Sequence, residues 1–461
     1  MAELARSANR TVLVAIDDDP TGAQPSGDVP LLTSWSEADL EWGLKAATHG
    51  LLYVLTNSRS LPAPKAKTVT DEAVRAIARA SAKTGIPVRL LSRGDSTLRG
   101  HFPLETDAIL DAWREEAGIE IDAVVLCPAY PEAGRVTVNG THLVWAKERW
   151  IPAGETEYAN DATFGYTSSY LPRWVEEKTG GDVPAASVLV VDLEQIRTGG
   201  RVVVARAMED YLRRESSQPA VIAVDAVDPA DLVTAALALS DLEAEGRNFL
   251  LRSGPTFVPL RCGIFPATPT AAPATKSPRG ALIVVGSHTD LTNQQVRMLG
   301  EHRLIDAITL DVTDILNGRA LALMRAVKEC TTSIRAGRDV VLQTSRVVLT
   351  GANKDESLAI SHTVSAAIVE VARAILATVA PAAIIAKGGI TSHDIATHAL
   401  GTSRAWVLGP VLDGMVSLIQ PLGDDNRAHG PTLVIFPGNV GTPSSLAEVV
   451  ERVRPRVPTS I

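Results

Sequence analysis

The chain has 461 residues, 45% of them hydrophobic and 21% charged, with a formal net charge of −9 and three cysteines. That length exceeds the ~250–300 residues at which a single core stops growing, so two domains are expected, each able to bury its own core. The acidic balance argues against nucleic-acid and membrane-surface partners, which are themselves polyanions. Cys127, Cys262 and Cys330 have no C-x-x-C or zinc-site spacing and fit free thiols in a reducing cytoplasm.

In chain order, the first predicted strand is TVLVAI, and it runs straight into Asp17-Asp18-Asp19-Pro20-Thr21-Gly22. Three adjacent carboxylates raise one another's pKa unless cations share the site. The bland reading is a solvated Asx-type turn; the functional one is a metal or substrate-hydroxyl site. GLLYVLT follows and ends on Asn57-Ser58-Arg59. A helix is expected over TDEAVRAIARASAKTG, with Thr70 or Asp71 as its N-cap and Gly85 as its stop. PVRLLS leads to Arg93, Asp95, Ser96, Thr97 and Arg99. DAVVLCP leads to Pro128, Glu132 and Arg135.

Strands alternating with helices predict an α/β fold with a mainly parallel sheet. Ligands bind such sheets beyond the carboxyl ends of the strands, so four polar clusters at four strand ends predict one crevice. There Asp95 is a candidate general base for a hydroxyl attacking a phosphoryl group, with Asp18 as its competitor. Arg93, Arg99, Arg59 and Arg135 are candidate anion clamps.

Residues 265–280 (FPATPTAAPATKSPRG) lose apolar periodicity and are expected to link a domain of 1–264 to one of 281–461. The second part repeats a strand-glycine-helix pattern three times. ALIVVGSHTDLTNQQ carries Gly286 and Ser287 with Thr292 as a cap; AAIIAKGGITSHD carries Gly388 and Gly389 with Thr391 and Ser392 as caps and Gly401 as the stop; PTLVIFPGNVGTPSS carries Gly438 and Gly441 with Ser444 as a cap. Such junctions suit phosphates through free helix N–H groups, so their coincidence predicts a nucleotide site. Asp17 to Thr21 also fits the D-x-D-x-T of haloacid-dehalogenase phosphatases, with Asp17 as nucleophile, although Gly22 breaks that pattern.

The whole chain resembles the four-carbon acid sugar kinase family. The resemblance rests on DDDPTGA, DSTLRG, PAYPEAGRVTVNG, GSHTDLTNQQ, GGITS and GNVG, in family order over roughly residues 11 to 441. It implies two α/β domains, the first binding an acid sugar such as threonate, erythronate or 3-oxo-tetronate and the second binding ATP, with Mg²⁺ accompanying the nucleotide. By motif it implies that Asp18, Asp19, Arg59, Asp95 and Arg99 contact the sugar; Arg93 is added from its strand-end position alone. Ser287, Gly388, Gly389, Ile390, Thr391 and Gly438 would contact ATP. Two departures stand out: Ser92-Arg93-Gly94 replaces a lysine-rich lead-in, and Phe436-Pro437 replaces the lysine usual before the last glycine motif. A sensor without catalysis is the non-enzyme alternative, and a homodimer is left open.

Overall fold

The computed structural model describes residues 1–8, 11–23, 25–213, 219–265, 269, 277–287, 289–318, 320–345, 354–412, 414–438 and 440–454. Most of the expected linker, His288 and Asn439 lie outside the described residues. The chain divides into two units, residues 1–267 and 268–461.

Among the described residues the first unit contains eleven strands: β1 Val12–Asp17, β2 Val29–Leu32, β3 Leu51–Leu55, β4 Val88–Arg93, β5 Ala123–Cys127, β6 Arg135–Val138, β7 Thr141–Ala146, β8 Arg149–Pro152, β9 Leu189–Val191, β10 Ala220–Val224 and β11 Phe249–Ser253. Eight of them lie in the order β2-β3-β1-β4-β11-β5-β10-β9, and their pairings are parallel. Every residue of β1, β3, β5 and β11 is buried. Such continuous burial is expected of strands with helices on both faces. Val14, Val54, Leu90, Val124 and Leu250 belong to one core cluster with Ile77 and Trp174.

The helix Ala63–Thr84 shows how far local reading reaches. It buries Ala66, Thr70, Ala73, Val74, Ile77 and Ala78 along one face and stops at Gly85, whose φ of +70° suits glycine. It starts at Pro62, not at Thr70 or Asp71. Proline at the first turn loses no helical hydrogen bond, so the earlier start wins and both expected caps become interior residues.

Strands β6, β7 and β8 form a separate antiparallel sheet in the order β6-β7-β8. Its first turn is anchored by Asp225, whose carboxylate accepts from Asn139 N (2.5 Å) and Gly140 N (2.8 Å).

The second unit contains β12 Leu282–Val285, β13 Ile305–Leu310, β14 Asp339–Thr344, β15 Ile384–Lys387, β16 Arg404–Leu412, β17 Val416–Leu422 and β18 Leu433–Phe436. They lie in the order β13-β14-β12-β15-β18-β17-β16; the first five run parallel, while β17 is antiparallel to both β18 and β16. Its core joins Ile283, Val341, Ile385 and Val434 to Leu446, Val449 and Val450 of the helix Ser445–Val453. The helix Asp290–His302 is capped by Thr289, whose side chain accepts from Thr292 N, so Thr292 is the capped residue and not the cap. Ser444 makes no side-chain cap, and the helix containing Thr391 and Ser392 begins behind Gly388.

Candidate active site

Sheet register brings the first unit's polar strand ends level. Asp17 pairs with Leu55 of β3 and Arg93 of β4, Arg93 with Ser253 of β11, and Ser253 with Cys127 of β5. The polar residues after these positions therefore collect beyond one edge of five adjacent strands, where parallel sheets bind ligands.

Five carboxylates, from Asp17, Asp18, Asp19, Asp95 and Glu105, interleave there with four guanidiniums, from Arg59, Arg93, Arg99 and Arg252. Arg59 reaches Asp19 at 2.9 Å, Asp18 at 3.3 Å and Asp95 at 3.6 Å. Arg93 is buried between Asp18 (3.1 Å) and Asp17 (3.4 Å). Arg99 holds Asp95 at 2.7 Å and lies 5.1 Å above the Tyr158 ring. Arg252 donates to Ser92 (2.6 Å) and Glu105 (2.8 Å), and its other nitrogen stands 3.9 Å from Asp18 Oδ2. Ser58 donates to the second Glu105 oxygen. The chain tolerates its triple aspartate because cations share the burial.

Gly22 is where the turn must pass closest to this cluster. A Cβ there would stand 1.8 Å from Asp17 Oδ2 and 2.4 Å from Arg93 Nε, so no larger residue fits without displacing the ion pair.

The carboxylates titrate differently. Burial, opposed by Arg93, pushes Asp17 up to about 7. Burial also pushes Asp18 up to about 6, against the pull of Arg59. Burial alone would raise Asp19 and Asp95 too, but Arg59 and Arg93 hold Asp19 below its ordinary value. Arg59 and Arg99, with the Thr97 hydroxyl, hold Asp95 well below the usual carboxylate range.

Asp17 yields a stability prediction. Its folded pKa lies above its unfolded one, so the folded state holds the extra proton between about pH 4 and 7. Its contribution to stability therefore falls as pH rises through that window. Asp17→Asn should leave the melting temperature unchanged near pH 4 and raise stability by on the order of a few kcal/mol at pH 8. A melting temperature lowered at both pH values would show instead that Arg93 needs this charge.

Around this cluster the buried Asp18 Oδ2, Arg59 Nε, Arg93 Nε, Ser253 Oγ and Trp174 Nε1 have no hydrogen-bond partner among the described residues. Polar atoms orphaned at a strand-end crevice mark where a polar ligand would bond. Gly94, Asp95, Arg99, Trp174, Arg252 and Ser253 line the adjoining pocket.

Of the expected residues, Asp18, Asp19, Arg59, Arg93, Asp95 and Arg99 form one cluster, while Arg135 turns onto the Tyr130 ring at 5.9 Å and makes none of these ion pairs. Arg252 and Glu105 were missed. So was His142, buried on β7, whose Nε2–H donates to Ser96 O (2.7 Å) while Nδ1 accepts from Thr137 (3.0 Å). Burial lowers His142 to about 4, which keeps it in that neutral tautomer. With Tyr166, whose hydroxyl donates to Thr97 O (2.7 Å), it fixes the loop that carries Asp95.

In the second unit, register pairs Lys387 with Val285 on one side and Phe436 on the other, so the three glycine junctions stand side by side. Gly286 packs under Thr391, where a Cβ would meet Oγ1 at 1.9 Å. Thr289 donates to Gly438 O (2.9 Å) and Thr292 to Ser287 Oγ (3.0 Å), which ties the first junction to the third. Gly388 precedes the helix that begins at Gly389, and Ile390 in its first turn is exposed. Thus Ser287, Gly388, Gly389, Ile390, Thr391 and Gly438 line one edge of this sheet.

Among the described residues no group of three His, Cys, Asp or Glu side chains could hold a metal ion, and the Asp17–Asp19 carboxylates are turned onto arginines. Among them, too, no helix is long and apolar enough to cross a membrane.

Two family models match, a sugar-binding N-terminal domain over residues 13–260 and a nucleotide-binding C-terminal domain over residues 282–446. A D-threonate kinase of Bordetella bronchiseptica is 30% identical over 196 residues, 42% of this chain and 39% of the relative. A D-erythronate kinase of Heliobacterium modesticaldum is 29% identical over 318 residues, 66% of this chain and 64% of the relative. Each match thus spans less than two thirds of the relative's own length. A Salmonella typhimurium LT2 structure superposes with a TM-score of 0.70 at 18% identity, covering 96% of this chain and 98% of its own. A Haemophilus influenzae protein of the DUF1537 family does so with 0.62 at 19%, covering 95% and 99%. With its sugar-binding and nucleotide-binding domains matched in order over most of its length, the chain belongs to the four-carbon acid sugar kinase family.

Proposed function

We propose that this protein is an ATP-dependent kinase acting on the terminal hydroxyl of a small acid sugar of the threonate, erythronate or 3-oxo-tetronate class. The observation that carries the reading is the buried, orphaned Asp18 Oδ2 set among guanidiniums. A polyol acid needs acceptors for its hydroxyls and cations for its carboxylate, and this cluster offers both. Arg59 and Arg99 clamp the carboxylate, in the bidentate manner open to guanidinium. Asp19 and Asp95 orient hydroxyls.

Asp18 then takes the proton of the attacking hydroxyl. As the sugar oxygen bonds to the γ-phosphorus, the bond from that phosphorus to the bridging oxygen breaks and ADP leaves. A near-neutral pKa and an open oxygen suit Asp18 to this step better than Asp95, which is saturated by Arg99 and Thr97. The strand-end glycines of the second unit would hold the nucleotide through backbone N–H groups. Mg²⁺ would neutralise phosphate charge, with its ligands drawn mainly from the phosphates.

The test is ADP formation from Mg-ATP by the purified protein against four- and five-carbon acid sugars, with a no-sugar control. ADP that depends on one or two of them is the expected result. Phosphate release from sugar phosphates without ATP would replace this reading with a phosphatase using Asp17. A sugar-dependent melting shift with no turnover would replace it with a sensor.

A further inference from the structure

Lys387 closes β15 and is completely buried. Its ammonium donates to the Pro437 carbonyl and lies 3.8 Å from the centroid of the Phe436 ring. These neighbours belong to β18 and the turn behind it, whereas β12 on the other side presents Val285. Neither β12 nor β18 carries a charged residue. The helix beginning at Gly389 carries His393 and Asp394, and Asp394 accepts from Ser365 (2.8 Å). Burial is the one cause lowering the lysine, to about 7, and no charged group among the described residues contributes.

A buried ammonium with one carbonyl and one ring face is poorly compensated, since several kcal/mol of lost hydration are repaid only by an opposite charge. Its place in the fold names that charge. Lys387 directly precedes Gly388, and its hydrogen bond lands directly before Gly438, so it links two of the three glycine junctions from beneath. The third, at Ser287, is tied to Gly438 by Thr289 and Thr292.

We propose that Lys387 is a charge-dependent positioning residue of the nucleotide site: its ammonium holds the Pro437–Gly438 turn in place and supplies positive field below the phosphates, so nucleotide binding draws a proton onto it. The proposal rests on the nucleotide-binding reading of residues 282–446. In the balance, one –NH₂ takes one proton from the buffer as the polyanion binds, because a nearby negative charge favours the charged lysine.

Calorimetric titration of Mg-ADP into the full chain at pH 8, in two buffers of different ionisation enthalpy, reads this directly. A group titrating near 7 is about nine-tenths deprotonated at pH 8, so uptake of up to roughly 0.9 proton per nucleotide is expected. Affinity should weaken from pH 6 to pH 9. Lys387→Met should abolish the uptake and weaken binding by about 10- to 100-fold. Lys387→Arg, which stays charged, should abolish the uptake while retaining affinity. Wild-type protein that binds Mg-ADP without proton uptake overturns the role of Lys387 and leaves the nucleotide site standing, even if neither variant folds. Equal uptake by Lys387→Met overturns it too. Wild-type protein that does not bind Mg-ADP overturns the nucleotide reading and this inference together.

Discussion

Asp18→Asn is expected to lower kcat for sugar-dependent ADP formation by about 10²- to 10⁴-fold, the range typical of losing a general base. Asp95→Asn should act mainly on KM. Sequence alone favoured Asp95 as the base, as a strand-end carboxylate set between Arg93 and Arg99. The proposed mechanism reverses that order. Asp95 Oδ2 already accepts from Thr97 and from Arg99 at 2.7 Å, and Arg59 stands 3.6 Å away. A carboxylate so stabilised is a weak proton acceptor and a firm fixed point for Arg59 and Arg99. Asp18 has one oxygen engaged by Arg59 and Arg93, and its other oxygen is buried and unbonded. The pH profile separates the two roles: kcat/KM should fall about tenfold per unit below about pH 6 as Asp18 protonates, and that limb should survive in Asp95→Asn. Full turnover by Asp18→Asn would sink the assignment.

What could be read in advance depended on whether the signal was local. The first four site strands each end in a short polar run, and parallel register does the rest, so Asp18, Arg59, Arg93, Asp95 and Arg99 were legible from order alone. A fifth strand, β11, inserts between β4 and β5 and contributes Arg252. Its own text, FLLRSG, has the same apolar-then-polar form, but it lies over a hundred residues past β5, and nothing local reveals that it returns to the centre of the sheet. Glu105 and Lys387 were hidden for another reason. Each sits inside a helix or strand whose neighbours are apolar or ordinary, and only packing shows that the charge points inward. Cap positions failed where a short hydrogen-bonding residue competed with a proline or threonine slightly earlier in the chain, as at Thr70 and Thr292.

Charge balance also accounts for why the triple aspartate left two readings open. A triple aspartate reads as a metal site when its partners are distant in sequence. Here the partners are Arg59 and Arg93, some 40 and 75 residues on, brought level by the pairing of β1 with β3 and β4. The same two guanidiniums then set different proton affinities on neighbouring carboxylates. Asp19 is held ionised and Asp18 is left near neutrality. Pairs of titratable groups pushed apart in this way are how one site supplies both an anchor and a base.

Arg252→Met should destabilise the protein by about 3–5 kcal/mol, the cost of leaving a buried partner charge uncompensated. Arg252 holds Glu105 at 2.8 Å, and both side chains are less than a tenth exposed. Without it Glu105 keeps only Ser58, and Ser92 loses its charged partner. Replacing both ions, in Arg252→Met/Glu105→Leu, should restore much of the lost stability, because a removed pair costs less than a broken one. Activity should not return with it. Arg252 Nη2 stands 3.9 Å from the open oxygen of Asp18 and, after Arg59 and Arg93, draws its pKa downward, so its loss should move the acidic limb of kcat/KM to higher pH in the single variant. The double variant also loses Glu105, which raises Asp18 more strongly, so its limb should return to the parent's or fall below it. Thermal unfolding and the pH profile thus read two separate contributions of one side chain. A single variant as stable as the parent, with an unmoved acidic limb, would leave Arg252 neither a structural counter-charge nor part of the sugar site.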